Sequence, residues 1–325
     1  MSSQNSTASS NTSFVRPQFF YVNGFSNIPH VKYYYIFLCC VYAVTVFGNC
    51  FIMFMIYVER NLHTPKYVAV FNLAVVDLCG STALIPNLIH TFLFNSQFIT
   101  YEACFSNMFF VHFFSSMQSL TLVVLAYDRF VAICCPLKYH AIITNITMAG
   151  IIAMVWVFIT VTVMTAVLLF TRLSFCKGTV INSYFCDHGP VFRLACNDNS
   201  PNHIMAIFCT TLFFVAPVAV IGLSYVCIII ALLKITTQEG RLKAMKTCTS
   251  HLILVAIFYF PICATYIAGL SSNIHPNARI INTSLATVIP PMLNPIIYSL
   301  KTEEIMSAIK KLYKRNKLIS HDTED

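Results

Sequence analysis

Charge is what this sequence lacks. Only 10% of its 325 residues are Asp, Glu, Lys or Arg, while 57% are hydrophobic. Soluble domains carry roughly 25% charged residues. One soluble core could not hide so much apolar surface, so lipid is the expected solvent. No Gly-rich phosphate loop, CxxC pair or HExxH motif is present, and no nucleophile–base pair or metal cluster stands out, which argues against an enzyme. Nothing in the chain suggests nucleic acid as a partner. The opening residues, MSSQNSTASSNTS, are polar and lack the apolar h-region of a cleavable signal peptide. The first apolar run is therefore expected to act as its own targeting signal.

What is present is long apolar runs. A spanning helix needs about 20 mostly apolar residues, and seven stretches qualify: 33–58, 67–94, 103–127, 148–171, 203–233, 251–271 and 280–300. They are too long and too uniformly apolar for barrel strands, which alternate over about ten residues. The expected fold is an all-α membrane protein, a seven-helix bundle. Its parts are an outer N-terminal segment (1–32), the bundle (33–301) and an inner tail (302–325). Fourteen of the 20 lysines and arginines fall on one side if the N-terminus lies outside, and the other six on the opposite side. That bias places the C-terminus in the cytoplasm of a multi-pass plasma-membrane protein. Asn5 and Asn11 head glycosylation sequons in the outer segment. Residues 302–317 read as a short amphipathic helix, with Ile305, Ile309 and Leu312 on one face and lysines beside them, suited to the anionic inner leaflet. Membrane lipid is thus an expected partner.

The polar residues inside the spans are few enough to name. Asp77 is the one acidic residue deep in a span, where a carboxylate needs a partner or a proton. Asp128 and Arg129 arrive together at the end of the third run, where the Arg can snorkel and pair with its neighbour. Pro217, Pro261 and Pro295 interrupt three spans, each removing a backbone hydrogen bond and permitting a kink. Four cysteines, Cys104, Cys176, Cys186 and Cys196, lie on the oxidising side, and four allow three pairings. In the outer half of the third span, Met108, His112, Ser115 and Ser116 occupy neighbouring positions. Tyr259, Cys263 and Tyr266 share a face of the sixth. Ordinary helix packing is the competing reading for each of these.

Together these residues resemble a rhodopsin-like (class A) G-protein-coupled receptor: Gly48-Asn49, NLAVVDL (72–78), Trp156, Pro217 with Tyr225, Pro261 and NPIIY (294–298). Three stretches resemble the olfactory receptors in particular: LAYDRFVAICCPLKYH (125–140), KAMKTCTSHL (243–252) and PPMLNPIIYSLK (290–301). HTPKY (63–67), which departs from the Met-Tyr of many mammalian members, and FYFP (258–261) are similar to the fish-like type. Tyr259 stands where most hormone receptors have Trp.

The resemblance implies an odorant receptor. A small molecule would bind between the outer halves of the spans, and a stimulatory, olfactory-type heterotrimeric G protein would bind inside and raise cAMP. It implies a ligand set of Met108, His112, Ser115, Ser116, Thr210, Phe213, Tyr259, Cys263, Tyr266 and Thr287. It implies an activation set of Asp128, Arg129, Tyr225, His251, Asn294, Pro295 and Tyr298, and the pairings Cys104–Cys186 and Cys176–Cys196. It places Asn49, Ser119 and Asn294 around Asp77, where either a sodium ion or a protonated or water-bridged carboxyl would sit. No other cofactor is expected. No acid lies on the cavity face of the third span, which argues against a simple amine ligand. A receptor for another small molecule or a peptide is the alternative. A transporter or channel would need inverted repeats or several intramembrane charges, and neither is seen.

The orientation has a direct test. Replacing Asn5 and Asn11 together with Gln should abolish the glycosidase-sensitive mass shift of the expressed protein. A shift that survives would overturn the assignment of the N-terminus to the outside.

Overall fold

The computed structural model describes residues 14–25, 30–94, 96–270 and 276–322, with backbone alone at 243, 247, 265–270, 276 and 313–322. Strand β1 (Phe19–Val22) precedes α1 (Val31–Val58) and α2 (Pro65–Leu93). Strand β2 (Phe98–Thr100) leads into α3 (Tyr101–Cys134), then short α4 (Tyr139–Ile142) and α5 (Asn145–Leu168). Strand β3 (Val180–Ile181) and α6 (His188–Phe192) lie in the next connection. A single rod follows, made of α7 (Ser200–Thr210), a π-helical turn (Thr211–Val215) and α8 (Ala216–Leu233). Helices α9 (Gln238–Leu270), α10 (Pro276–Lys301) and α11 (Glu303–Asp322) complete the chain.

Among the described residues, seven helices are long and apolar enough to cross a membrane: α1, α2, α3, α5, the α7–α8 rod, α9 and α10. Local chemistry sets their starts. Pro65 sits in the first turn of α2, where its missing N–H costs nothing. Thr100 caps α3 by accepting from Ala103 N, and Thr144 caps α5 by accepting from Thr147 N. Helix α3 continues beyond the expected end at Tyr127, so Asp128 and Arg129 lie inside a helix rather than at its terminus.

α3 is the central rod, packed against α2, α5, α8 and α9, while α1 lies between α2 and α10. A polar chain crosses three helices: Trp156 Nε1 donates to Asn72 Oδ1 (2.8 Å), and Asn72 Nδ2 donates to Thr121 Oγ1 (2.9 Å). The outward faces are apolar and bare, as Val157, Val161 and Leu223 illustrate. A soluble protein would bury them; here they match lipid.

The all-α expectation misses one feature. The outer end, the one that carries the disulfides, holds a small sheet of order β2-β1-β3, with β1 antiparallel to β2 and parallel to β3. The segment before α1 thus closes over the bundle. Disulfides Cys104–Cys186 and Cys176–Cys196 hold the same region together. Asn5 and Asn11 lie outside the described residues. At the other end, α11 runs to Asp322, beyond the expected 317. Its Ile305 is fully buried against the bundle, and Ile309 and Leu312 pack there too.

Gly48 marks the closest approach of α1 to α10. A Cβ there would come within 2.7 Å of Pro295 Cγ, a ring with no freedom to yield. Gly48→Val is therefore expected to destabilise the protein by about 1–3 kcal/mol through overpacking. The check is the midpoint of heat-induced loss of monomer in detergent. An unchanged midpoint would mean that the two helices are not in contact.

Candidate functional site

Two cavities occupy opposite ends of the bundle. The outer one has a volume of about 540 Å³, and its walls come from α3, α5, α7, the π turn, α9, α10 and the loop after Cys186. Seven of the sequence-expected ligand residues line it: Met108, His112, Ser115, Ser116, Thr210, Phe213 and Thr287. Tyr259 and Cys263 do not. Tyr259 is buried beneath the cavity, its hydroxyl 2.6 Å from Ser119 Oγ, and Cys263 is exposed on the outside. Phe258 and Ile262 line the cavity from that helix instead. Spacing defines a common face but not its direction, and α9 has no polar stripe in this region to mark the inward side. Tyr266 belongs to the stretch whose side chains are not described.

Among the residues that sequence reasoning missed is a polar and aromatic set from the segment around Cys186: Tyr184, Phe185, Asp187 and His188. The Cys104–Cys186 bond draws this segment over the top of α3. Tyr184 then ties it to α10 through its hydroxyl, 3.0 Å from Thr287 Oγ1. The adjacency of Asp187 and His188 to Cys186 was the available signal, since whatever follows a cysteine bonded to α3 must lie over the cavity. Burial would raise the Asp187 carboxyl, but neighbouring His112 outweighs it and holds it below the usual carboxylate range. Burial, reinforced by His112, lowers His188 to about 4, so this imidazole is neutral at physiological pH.

Gln118, also missed, lines the cavity floor and donates through Nε2 to Asp77 Oδ1 at 2.5 Å. Asn294 Nδ2 donates to the other oxygen at 2.7 Å. Asp77 is fully buried. The expected neighbours therefore divide. Asn294 joins Asp77, whereas Ser119 points away, its hydroxyl donating to the Phe213 carbonyl at 2.5 Å. Asn49 donates instead to the Thr45 and Pro291 carbonyls at 2.9 and 3.0 Å. These residues do not fit a sodium ion. Each Asp77 oxygen faces an amide nitrogen, and the crevice between Asn49, Asp77 and Asn294 has no room for even a water. A cation needs oxygen ligands turned toward it.

The inner cavity, about 200 Å³, is lined by Lys66, Arg129, Lys246, His251, Tyr298 and Glu304 among others. Asp128 holds two partners: Arg129 Nη2 lies 3.5 Å from Oδ2, and Tyr139 donates its hydroxyl to Oδ1 at 2.8 Å. His251 bridges helices, with Nδ1 2.8 Å from the Tyr225 hydroxyl and Nε2 3.0 Å from the Leu122 carbonyl. Asp128, Arg129, His251, Tyr225 and Tyr298 are thus gathered at one end of the bundle. Asn294 and Pro295 lie about one turn before Tyr298 on α10. Lys66 Nζ pairs with Glu304 at 3.4 Å. Burial would raise the Glu304 carboxyl, but the Lys66 charge overrides it and lowers it.

A family model described as olfactory receptor matches residues 38–316. Olfactory receptor 1E16 of Mus musculus is 36% identical over 89% of this chain and 92% of its own length. Olfactory receptor 51F2 of Homo sapiens is 38% identical over 93% of this chain and 89% of its own. Among solved structures, squid rhodopsin superposes with a TM-score of 0.69 at 18% identity, over 88% of this chain and 87% of that one. At that identity the likeness speaks for the fold alone, a seven-helix bundle.

The closed Asp77 site makes a prediction about ions. Replacing sodium by choline in the assay medium should leave agonist potency unchanged within about twofold, because no ion couples to the network. A large sodium-dependent shift in potency would show that the Gln118 amide does not stand where the structure has it.

Proposed function

The chain belongs to the olfactory receptor family, whose members are receptors rather than enzymes, and from that membership we propose its mode of action. A small-molecule odorant occupies the outer cavity. The inner cavity then opens to a stimulatory, olfactory-type heterotrimeric G protein, which raises cAMP. The N-terminus faces outward and the tail faces the cytoplasm, in keeping with the lysine and arginine bias. The single observation that carries the reading is α3 itself. One continuous helix lines the outer cavity with His112, Ser115 and Ser116 and the inner cavity with Arg129.

The outer cavity has the character of a small-molecule site: apolar walls with a few convergent polar groups. Met108, Ser115, Ser116, Thr210, Phe213 and Thr287 would shape it, and His112 would supply a directional hydrogen bond. From its floor, Gln118 reaches Asp77, and Asp77 reaches Asn294, next to Pro295. A ligand pressing on Gln118 would thereby bias the packing of α10 against α2 and α3. On the inner side, Arg129 is held by Asp128, and His251 joins α9 to both α3 and α8. Outward movement of α9, bending at Pro261, would break the two His251 contacts and free the space around Arg129 for a G-protein helix. Such coupling requires two discrete helix arrangements whose balance the ligand shifts.

Arg129 and His112 are separated by about 25 Å, at 1.5 Å rise per residue, so their roles should separate. Arg129→Ala should remove the cAMP response while leaving surface expression and ligand binding intact. His112→Ala should shift potency for particular ligands by about tenfold or more while sparing constitutive signalling. Normal cAMP signalling by Arg129→Ala would refute the assignment of the inner cavity to the G protein.

A further inference from the structure

The head of the outer cavity carries hydrogen-bonding capacity that the protein itself leaves unused. Asp187 Oδ1 lies 3.5 Å from His112 Nε2, an electrostatic contact too long for a good hydrogen bond. His112 Nε2 and both ring nitrogens of His188 are buried without any hydrogen-bond partner. The two imidazole rings stand 6.4 Å apart, centre to centre, and Asp187 follows directly from the cysteine bonded to α3. All three side chains line the cavity, whose lining also includes the apolar Val163, Val167, Phe213, Phe258 and Ile262. Leaving buried polar atoms unpaired is costly, so a ligand that pairs with them is selected over one that cannot.

The kinds of group present decide which head group fits. A carboxylate only accepts, and a neutral imidazole offers one accepting nitrogen and one N–H donor. The cluster therefore holds acceptors on all three side chains, N–H donors on the two imidazoles and one fixed negative charge at Asp187. A carboxylic acid, ionised at neutral pH, would meet the Asp187 carboxylate as a like charge. An alcohol could bond to the imidazoles but would leave the Asp187 charge without a counter-charge. A primary ammonium has three N–H donors and the opposite charge. The cation that also lines the cavity, Arg279, is exposed to solvent, where its repulsion is screened.

We propose that this receptor recognises small primary aliphatic amines, the ammonium seated among Asp187, His112 and His188 and the alkyl chain laid along the Val163–Phe213–Phe258 wall. This rests on the reading of the outer cavity as the odorant site. It also answers the sequence argument against amines, which looked for an acid on α3. The acid comes from the loop instead, brought over α3 by the Cys104–Cys186 bond.

The test is direct binding, independent of any G protein. Full-length receptor in lipid nanodiscs is heated with n-hexylamine, hexanoic acid or 1-hexanol at equal concentration and neutral pH, and the surviving monomer is measured. The amine should protect, and the acid and alcohol should not. Asp187→Asn should weaken the amine's apparent affinity by about tenfold or more, and Asp187→Glu should retain it. Should Asp187→Asn fail to fold, His188→Phe, which keeps a ring and removes the acceptor, should weaken the amine in the same assay. Equal protection by acid or alcohol would overturn the proposal. So would failure of every straight-chain amine from butylamine to octylamine, or an unchanged affinity in the Asp187 and His188 variants. The broader reading stands or falls separately: a cAMP response to a non-amine that His112→Ala abolishes would keep the odorant receptor and discard the amine.

Discussion

Every backbone carbonyl in the bilayer must find a hydrogen, and the prolines of this bundle create carbonyls that the helix cannot serve. A proline at position i leaves the carbonyl of i−4 without its usual donor. Pro217 frees the carbonyl of Phe213, and Ser119 of α3 donates to it. Pro295 frees the carbonyl of Pro291, and Asn49 of α1 donates to that one. Both of these carbonyls are therefore served by a side chain from a neighbouring helix. At Pro217 and Pro295 the kink and the helix–helix contact are one feature. Small and polar residues near the prolines, Gly48 beside Asn49 and Ser119 beside Gln118, are what allow the neighbour to come close enough to donate.

The same constraint explains why α3 can carry a signal. Its Ser119 joins the π turn and, through the Tyr259 hydroxyl, α9. Its Gln118 joins Asp77 on α2. One turn further in, its Leu122 carbonyl meets His251 on α9. Each of these contacts crosses between helices and joins buried side chains, so losing one leaves a polar group that must find another partner. Such contacts favour a small number of discrete arrangements over gradual deformation. On the proposed reading, a ligand that prefers one arrangement at the outer cavity would thereby alter the inner one.

The sequence made the spans legible because hydropathy depends only on composition and length, and all seven emerged. Even so, α3 runs on past Tyr127 to Cys134 and α9 begins at Gln238 rather than 251, since polar and basic residues continue a helix that hydropathy alone cuts short. Asp128 with Arg129 was readable because charge is rare in such runs, and the four cysteines because they lie on the outer side, apart from those inside the apolar runs. Direction was harder. Tyr259, Cys263 and Tyr266 share a face, yet the cavity faces Phe258 and Ile262, since an apolar helix in lipid shows no polar side from which to infer inside and outside. The Asp77 surroundings failed by one residue: Gln118, not Ser119, meets the carboxylate, and one position in a helix is a rotation of about 100°. The small sheet around β1 and the position of Asp187 were illegible because they depend on chain crossings that only the folded loop supplies.

Charge at the inner end follows a different rule from charge in the middle. Lys66–Glu304, Lys246–Glu303 and Lys311–Glu59 link α11 to α2, to α9 and to the turn after α1. Lys246, Glu303 and Lys311 are well exposed, and such pairs contribute about 0–1 kcal/mol each. Lys66 is different. Its side chain is only 14% exposed, and it lines the same cavity as Arg129. Its ammonium needs Glu304, because without the carboxylate two cations would share one recess. The acidic first turn of α11 therefore does more than stabilise a helix N-terminus. It lets the inner cavity concentrate positive charge while the apolar face of the same helix, with Ile305 at its centre, is held against the bundle.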